Sequence, residues 1–139
     1  MSKFIGKKIG MTQVWKNDKV VPISIIKMDG DQFEELVDGK KVKVQGTTKG
    51  KGFEGVVKRH GFHGGPQTHG QKNRLRAPGS IGSTAPQRVL PGRRMAGRMG
   101  GVKKTVKNLL IIDFKKESKE LFLRGAVPGN KKGKIKITV

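Results

Sequence analysis

The residues of this chain best suited to chemistry are lysines and arginines interleaved with glycines between Thr47 and Gly101. This stretch of 55 residues contains 13 of the chain's 21 glycines and 11 Lys and Arg side chains, but a single acidic residue, Glu54. Guanidinium and ammonium groups donate hydrogen bonds to phosphate oxygens, and glycines let the backbone approach a ligand closely. The pattern therefore indicates binding to a dense array of phosphates.

The cations of the stretch fall into short clusters, which we take as candidate phosphate-binding residues. They are Lys49, Lys51, Lys58, Arg59, His60, Lys72, Arg74, Arg76, Arg93, Arg94 and, just beyond the stretch, Lys103 and Lys104. Only two aromatic side chains, Phe53 and Phe62, accompany them. We therefore expect phosphate and shape contacts, rather than base stacking, to supply most of the affinity.

Three histidines in the stretch, His60, His63 and His69, could suggest a metal site. The chain has no cysteine, and Glu54 is the only carboxylate near them. Because zinc sites normally combine histidine with cysteine or carboxylate ligands, we interpret the three histidines as donors to phosphate or as stacking groups. No metal and no cofactor are expected.

Catalytic patterns are weak throughout the chain. The paired carboxylates, Glu34 with Glu35 and Glu117 with Glu120, lie in polar surroundings where exposure to solvent is expected. The glycine-rich runs match neither the phosphate loop of nucleotide hydrolases nor the dinucleotide-binding fingerprint. The sequence thus predicts a binding protein, not an enzyme, and no small-molecule substrate.

Charge dominates the composition of the whole chain. Its 139 residues include 31 Lys and Arg against 10 Asp and Glu, a net charge of +21 and a pI near 10.8. A charge this large draws a protein to polyanions.

The longest apolar runs, such as Leu109 to Ile112, are far below the ~20 residues of a membrane-spanning helix. Residues 1–8 resemble neither a secretory signal nor an import leader, so we expect a cytoplasmic location and no membrane partner.

The flanks of the cationic stretch read as β-strands. Residues 1–46 predict strands at Phe4 to Ile9, Thr12 to Lys16, Val20 to Met28 and Lys41 to Gln45, with turns at Asn17-Asp18 and Asp29-Gly30-Asp31. Alternation predicts core positions on one face of each strand. The expected arrangement is Val21, Ile23 and Ile25 inside with Pro22 and Ser24 outside, and Val42 and Val44 inside.

Residues 102–139 continue the pattern with strands at Leu109 to Phe114, Leu121 to Val127 and Lys134 to Val139. In the last of these, Ile135, Ile137 and Val139 share the apolar face. A small antiparallel barrel would close the edges of such a sheet. The predicted organisation is a mostly β barrel domain formed by residues 1–46 and 102–139, with residues 47–101 as a long, extended, glycine- and arginine-rich loop.

Several sequence motifs, in the same order, resemble those of the family of universal large-subunit ribosomal protein three, bacterial type. They are Phe4 to Thr12, Gly46 to Phe53, Lys58 to Phe62, Thr68 to Gly70, Arg76 to Gly82, Gly92 to Gly100 and Gly125 to Gly129. The resemblance covers nearly the whole chain. It implies a β-barrel of the kind shared with translation factors and a loop that enters the large-subunit ribosomal RNA.

The resemblance also implies binding early in assembly of the subunit, with the loop tip near the peptidyl transferase centre. By motif order, the tip corresponds to Ser83, Thr84, Gln87 and Arg88 and their neighbours, and Arg93, Arg94 and Arg98 lie on the returning limb. The family suggests large-subunit proteins fourteen and nineteen as neighbours. A glutamine modification that some members carry near the tip is not extended to Gln87.

This chain departs from the family between its third strand and the motif that begins at Gly46. Members usually carry several dozen more residues there, whereas only 19 residues separate Ile26 from Gly46. A reduced barrel and residues absent from this sequence both remain open as explanations. From charge alone, a nucleoid-type DNA-binding protein is the alternative function, although the chain lacks a recognition helix and a dimer motif.

Overall fold

A computed structural model describes residues 2–30 and 33–139 of the chain, and these residues contain eight strands and one short helix. The elements in chain order are β1 (Lys3–Lys16), β2 (Lys19–Asp29), β3 (Lys41–Thr47), β4 (Gly52–Glu54), α1 (Val56–His60), β5 (Gly97–Met99), β6 (Lys103–Lys115), β7 (Glu120–Arg124) and β8 (Lys134–Thr138). Contacts divide them into two compact units. Met1–Lys49 with Gly101–Val139 is called the barrel below, and Gly50–Gly100 the insertion.

Six antiparallel strands of the barrel close on themselves in the order β1-β2-β7-β6-β3-β8. Closure results from β8, which pairs with β1 on one side and with β3 on the other. A closed sheet leaves no unpaired strand edge, so it resists pairing with other chains. The predicted mostly β fold is confirmed. Within the described residues, no helix has the length and apolar character needed to cross a membrane.

β1 differs from the two separate strands predicted for it. It runs unbroken from Lys3 to Lys16, and an irregularity in its pairing with β2 falls between Lys8 and Gly10. A β-bulge of this kind absorbs one extra residue and bends a strand without ending it. The predicted turn at Asn17-Asp18 is confirmed, because both residues have positive φ (50° and 56°), as a tight two-residue hairpin turn requires.

The predicted faces of β2 are partly wrong. Ser24 was expected outside, but it is fully buried together with Ile26 and Met28, while Ile25 is only half-buried. The Ser24 hydroxyl donates to the carbonyl of Gly125 at 2.6 Å, which satisfies its polar group inside the protein. A serine with a partner 101 residues away cannot be recognised as a core residue from local alternation.

The core of the barrel combines inward side chains of the strands with two residues from the connection between β2 and β3. Val42, Val44, Ile135 and Ile137 are buried as predicted; the other members of the core are Ile26, Met28, Phe33, Leu36, Ile111, Leu121, Leu123 and Val127. The Phe33 ring lies 6.4 Å from that of Phe4 and 5.2 Å from that of Phe114, centroid to centroid. The short connection between β2 and β3 therefore contributes two side chains, Phe33 and Leu36, to the core. The turn predicted at Asp29-Gly30-Asp31 includes Asp31, which lies outside the described residues.

The insertion contains little regular structure. β4 and β5 pair over three residues, Gly52 with Met99 through Glu54 with Gly97. α1 has five residues, buries Val56, and ends at Gly61 in the left-handed conformation, whose amide donates to the Val57 carbonyl. A glycine suits this position because it carries no Cβ. Sequence analysis did not identify α1.

Candidate nucleic-acid interface

The predicted binding residues divide unequally between the two units. Three of the nineteen, Lys49, Lys103 and Lys104, belong to the barrel, and the other sixteen belong to the insertion. All have exposed side chains except Arg59 and His60, which are half-buried. The exposed set in the insertion is Lys51, Lys58, His63, His69, Lys72, Arg74, Arg76, Ser83, Thr84, Gln87, Arg88, Arg93, Arg94 and Arg98.

Glu54, the single acidic residue of the cationic stretch, is engaged within the insertion. Its carboxylate, at the end of β4, lies 2.6 Å from the ammonium group of Lys58, four residues further along in α1. An ion pair near the protein surface adds little to stability. Its larger effect is on charge, because the carboxylate is matched to one neighbouring lysine while the other cations of the insertion face no carboxylate within the stretch.

Arg59 and His60 hold the outgoing and returning limbs of the insertion together. Nη1 of Arg59 and Nε2 of His60 both donate to the backbone carbonyl of Met95, at 2.5 and 2.9 Å. The Arg59 guanidinium also lies against Gly97, where a Cβ would approach Nη1 to 2.8 Å. Both side chains were predicted to face a phosphate, and the structure gives each a partner inside the insertion.

A second crossing joins residues near Gly64 to residues near Leu75. The amide of Gly65 donates to the carbonyls of Arg74 and Leu75, both at 3.1 Å. Gly64 has a φ of +78°, and a Cβ on it would overlap the Leu75 carbonyl oxygen. Only glycine fits there. Sequence analysis missed this crossing, although the Gly64-Gly65 pair is the signal that could have pointed to it.

An open concavity of about 800 Å³ lies within the insertion, between the residues that these two crossings fix. Its lining includes Phe62, His60, His63, Arg74 and Arg94. None of the described residues that line it is acidic. We call it the Phe62 concavity. It brings together four of the predicted binding residues, His60, His63, Arg74 and Arg94.

The proposed tip is a turn of exposed residues. The amide of Gln87 donates to the Thr84 carbonyl at 3.2 Å, and Gln87 has a positive φ of 48°. Further along, the Arg93 guanidinium donates to the carbonyl of Ser80. Among the residues that the structure describes, no group of three His, Asp or Glu side chains is placed to hold a metal ion, so the three histidines do not converge with a carboxylate.

Lys8 is the one strongly buried cation of the barrel's described part. Its Nζ donates to the carbonyls of Val127 and Gly129, at 2.9 and 3.3 Å. Burial, and secondarily the positive charge of Lys49, lower the pKa of the Lys8 ammonium group from its usual value. This lysine ties β1 to the connection between β7 and β8, so its role is structural.

The fold and the charge together define a class of protein, a small antiparallel β-barrel with a cationic, glycine-rich insertion between β3 and β6. Residues 25–122 match the model of the family described as ribosomal protein L3. The chain belongs to the ribosomal protein L3 family, which confirms the resemblance noted from its motifs.

Similar proteins from several bacteria carry the name large ribosomal subunit protein uL3. The one from Chlorobaculum tepidum is 53% identical over 108 residues, 77% of this chain and 50% of that protein. The one from Chlorobium limicola is 58% identical over 105 residues (75% and 50%), and one from Dehalococcoides mccartyi strain BAV1 is 45% identical over 117 residues (82% and 55%). The chain spans about half the length of the curated relatives it matches.

Proposed function

We propose that this chain is a structural constituent of the large ribosomal subunit, located in the cytoplasmic ribosome, and that its insertion binds large-subunit ribosomal RNA directly. The observation that carries the proposal is the charge of Thr47 to Gly101, where 11 Lys and Arg side chains accompany one carboxylate that is already paired. Family membership and the names of the relatives support the ribosome as the location of the polyanion.

The proposed mechanism is electrostatic. Exposed cations on the insertion neutralise phosphates of RNA helices that would otherwise repel one another, and the release of condensed counterions favours the complex. The protein orders RNA and performs no chemistry. We further propose early binding during subunit assembly, with large-subunit proteins fourteen and nineteen as neighbours.

Co-sedimentation with large subunits after a high-salt wash tests the proposal. The protein is expected to remain with the subunits, and large-subunit RNA is expected to compete for it better than duplex DNA at equal phosphate concentration. Preference for DNA would instead favour the nucleoid-type alternative. That alternative has the charge in its favour, but no described helix is longer than the five residues of α1, too short for a recognition helix.

The placement of the tip near the peptidyl transferase centre is a finer part of the proposal. Deletion of residues 83–88 removes the turn around Thr84 and Gln87 without touching any barrel strand. Subunits assembled with this variant should keep the protein but show altered chemical probing of the RNA at the active centre. Unaltered probing there would place the tip elsewhere.

A further inference from the structure

The Phe62 concavity is formed by contacts inside the insertion. The Gly65 amide fixes residues 64–65 against Arg74 and Leu75. Independently, the Met95 carbonyl receives hydrogen bonds from Arg59 and His60, which holds the neighbouring Arg94 at the opposite limb. Both closures are specific, and the first requires glycine at position 64. The concavity is therefore bounded by specific hydrogen bonds within the insertion.

The groups that line the concavity combine one aromatic face with several cations. Phe62 lines the concavity and is half-buried, with its ring centroid 6.0 Å from that of the His60 imidazole at an angle of 43° between the ring planes. Arg74 and Arg94 are exposed residues, and no described lining residue carries a negative charge. An aromatic face beside guanidinium groups is the combination that proteins use for an unstacked base and its phosphate.

The volume of the Phe62 concavity limits the size of the ligand that it can hold. A volume of about 800 Å³ falls in the range of clefts that hold one small-molecule-sized group, and it is too small for a base-paired helix. Phosphate contacts elsewhere on the insertion need no concavity, because exposed arginines can reach a nucleic-acid backbone from the protein surface. The concavity is thus suited to one nucleotide that has left its stack.

We propose that the Phe62 concavity receives a single unstacked nucleotide of the RNA, with its base against the Phe62 ring and its phosphate at Arg74 and Arg94. The inference rests on the proposed function, because the nucleotide belongs to the RNA that the insertion binds. One stacked base would fix the position of the insertion along the RNA chain, in an interface otherwise made of phosphate contacts.

Aromatic substitutions in the full chain test the proposal against a matched control. Phe62→Leu keeps an apolar side chain but removes the stacking face, and Phe62→Tyr restores it. Phe53→Leu makes the same change at the other aromatic residue of the insertion, which is 77% exposed on β4 and lies outside the concavity. Binding to large-subunit ribosomal RNA is measured for each variant over a series of salt concentrations.

Phe62→Leu is expected to weaken binding by about 5- to 150-fold, the range seen when one stacking side chain is removed. Its dependence of log affinity on log salt should keep the wild-type slope, because no phosphate contact is lost. Phe62→Tyr should bind as the wild type does, and Phe53→Leu should change affinity by less than about twofold. Equal effects of the two leucine variants, or failure of tyrosine to restore binding, would overturn the proposal.

Photo-crosslinking gives a second measurement that does not depend on affinity. Benzoylphenylalanine at position 62 is expected to crosslink to one nucleotide, and the same group at position 53 to give a different or dispersed pattern. A dispersed pattern from position 62 would contradict the site. If the wild-type protein shows no preference for large-subunit RNA, the proposed function is wrong. If it binds that RNA normally but the group at position 62 gives no crosslink, only the proposed nucleotide site is wrong.

Discussion

Gly46 shows how closely the barrel is packed at the level of single atoms. It is buried in β3, and a Cβ there would lie 2.8 Å from Cδ1 of Ile135 and 2.9 Å from the carbonyl oxygen of Pro128. The first contact is with a side chain that can adjust, but the second is with backbone that cannot move without shifting the β7–β8 connection. Glycine at this position is therefore a packing requirement.

Gly46→Ala should lower the free energy of unfolding by about 1–3 kcal/mol, the usual cost of forcing an extra methyl group into a filled space. Urea unfolding followed by circular dichroism measures it. Gly50→Ala is the matched control, because a Cβ at Gly50 meets nothing within 4 Å. That variant should lie within about 0.5 kcal/mol of the wild type. Equal loss of stability in both variants would contradict the packing argument.

Lys8 makes a prediction about pH. Its pKa in the folded protein is lowered below the usual 10.5, chiefly by burial and further by the charge of Lys49. Below the folded pKa the ammonium group is charged in both states, so folding carries the full cost of desolvating it. Between the folded pKa and 10.5 the unfolded chain binds more protons than the folded one, so this residue's contribution to stability rises with pH.

Comparison with Lys8→Met isolates that contribution, because the other lysines titrate in both proteins. The stability of the wild type minus that of the variant should be constant at neutral pH and should increase in favour of the wild type as pH approaches 10.5. Denaturant unfolding at a series of pH values measures the difference. A difference that stays flat, or declines, over this range would show that Lys8 has no lowered pKa.

At the scale of elements, strand alternation predicted the parts of the barrel whose partners are apolar and regular. Val42 and Val44 in β3, and Ile135 and Ile137 in β8, lie in the core as their spacing indicated. β1 was predicted as two strands, but its pairing with β2 continues on both sides of the irregularity between Lys8 and Gly10, so the strand is unbroken. Tertiary pairing overrode a local signal.

Other features had no local signal to predict. Phe33 and Leu36 belong to the core because the β2–β3 connection folds onto Phe4 and Phe114, which are distant in sequence. In the candidate site, the cationic residues were predictable from composition, whereas the Phe62 concavity depends on backbone hydrogen bonds that join Gly65 to residues nine and ten positions later. Residue types identify the chemistry of a site, but only the fold shows which of them meet.

The insertion and the barrel should differ in local stability. α1 has five residues and the β4–β5 ladder has three pairs, and isolated elements of this length are marginal in water. In the free protein, amides of Gly50–Gly100 should therefore exchange with solvent within seconds to minutes. Amides of β2, β3 and β7, which are flanked by paired strands, should be slower by orders of magnitude.

Hydrogen exchange followed by mass spectrometry measures this difference, first on the free chain and then with large-subunit ribosomal RNA. Addition of the RNA should slow exchange in the insertion while leaving the barrel nearly unchanged. Duplex DNA at the same phosphate concentration is the control and should protect the insertion less. An insertion that is as protected as the barrel without RNA would show that it does not depend on a partner for its order.

At the scale of the whole molecule, the net charge of +21 on 139 residues determines how the protein responds to salt. Like charges on one small chain repel, so added salt should relieve repulsion within the free protein. The same salt should weaken the complex with RNA, because each released counterion gains less entropy when the bulk salt concentration is already high. Stability of the free chain and affinity for RNA are therefore expected to change in opposite directions over one salt series.

The slope of log affinity against log salt then shows where on the molecule the phosphates lie. Arg93→Ala with Arg94→Ala removes two cations from the insertion and should reduce the slope by up to about 2 if both contact phosphates. Lys16→Ala with Lys19→Ala removes the same charge from exposed positions beside the β1–β2 turn and is the matched control. If RNA binding depended only on the overall net charge, the slope of log affinity against log salt would decrease equally in the two variants. If RNA binds through the insertion, the slope decreases mainly in the arginine variant. Equal slopes would therefore contradict the assignment of RNA binding to the insertion, even if the overall affinity for RNA were high.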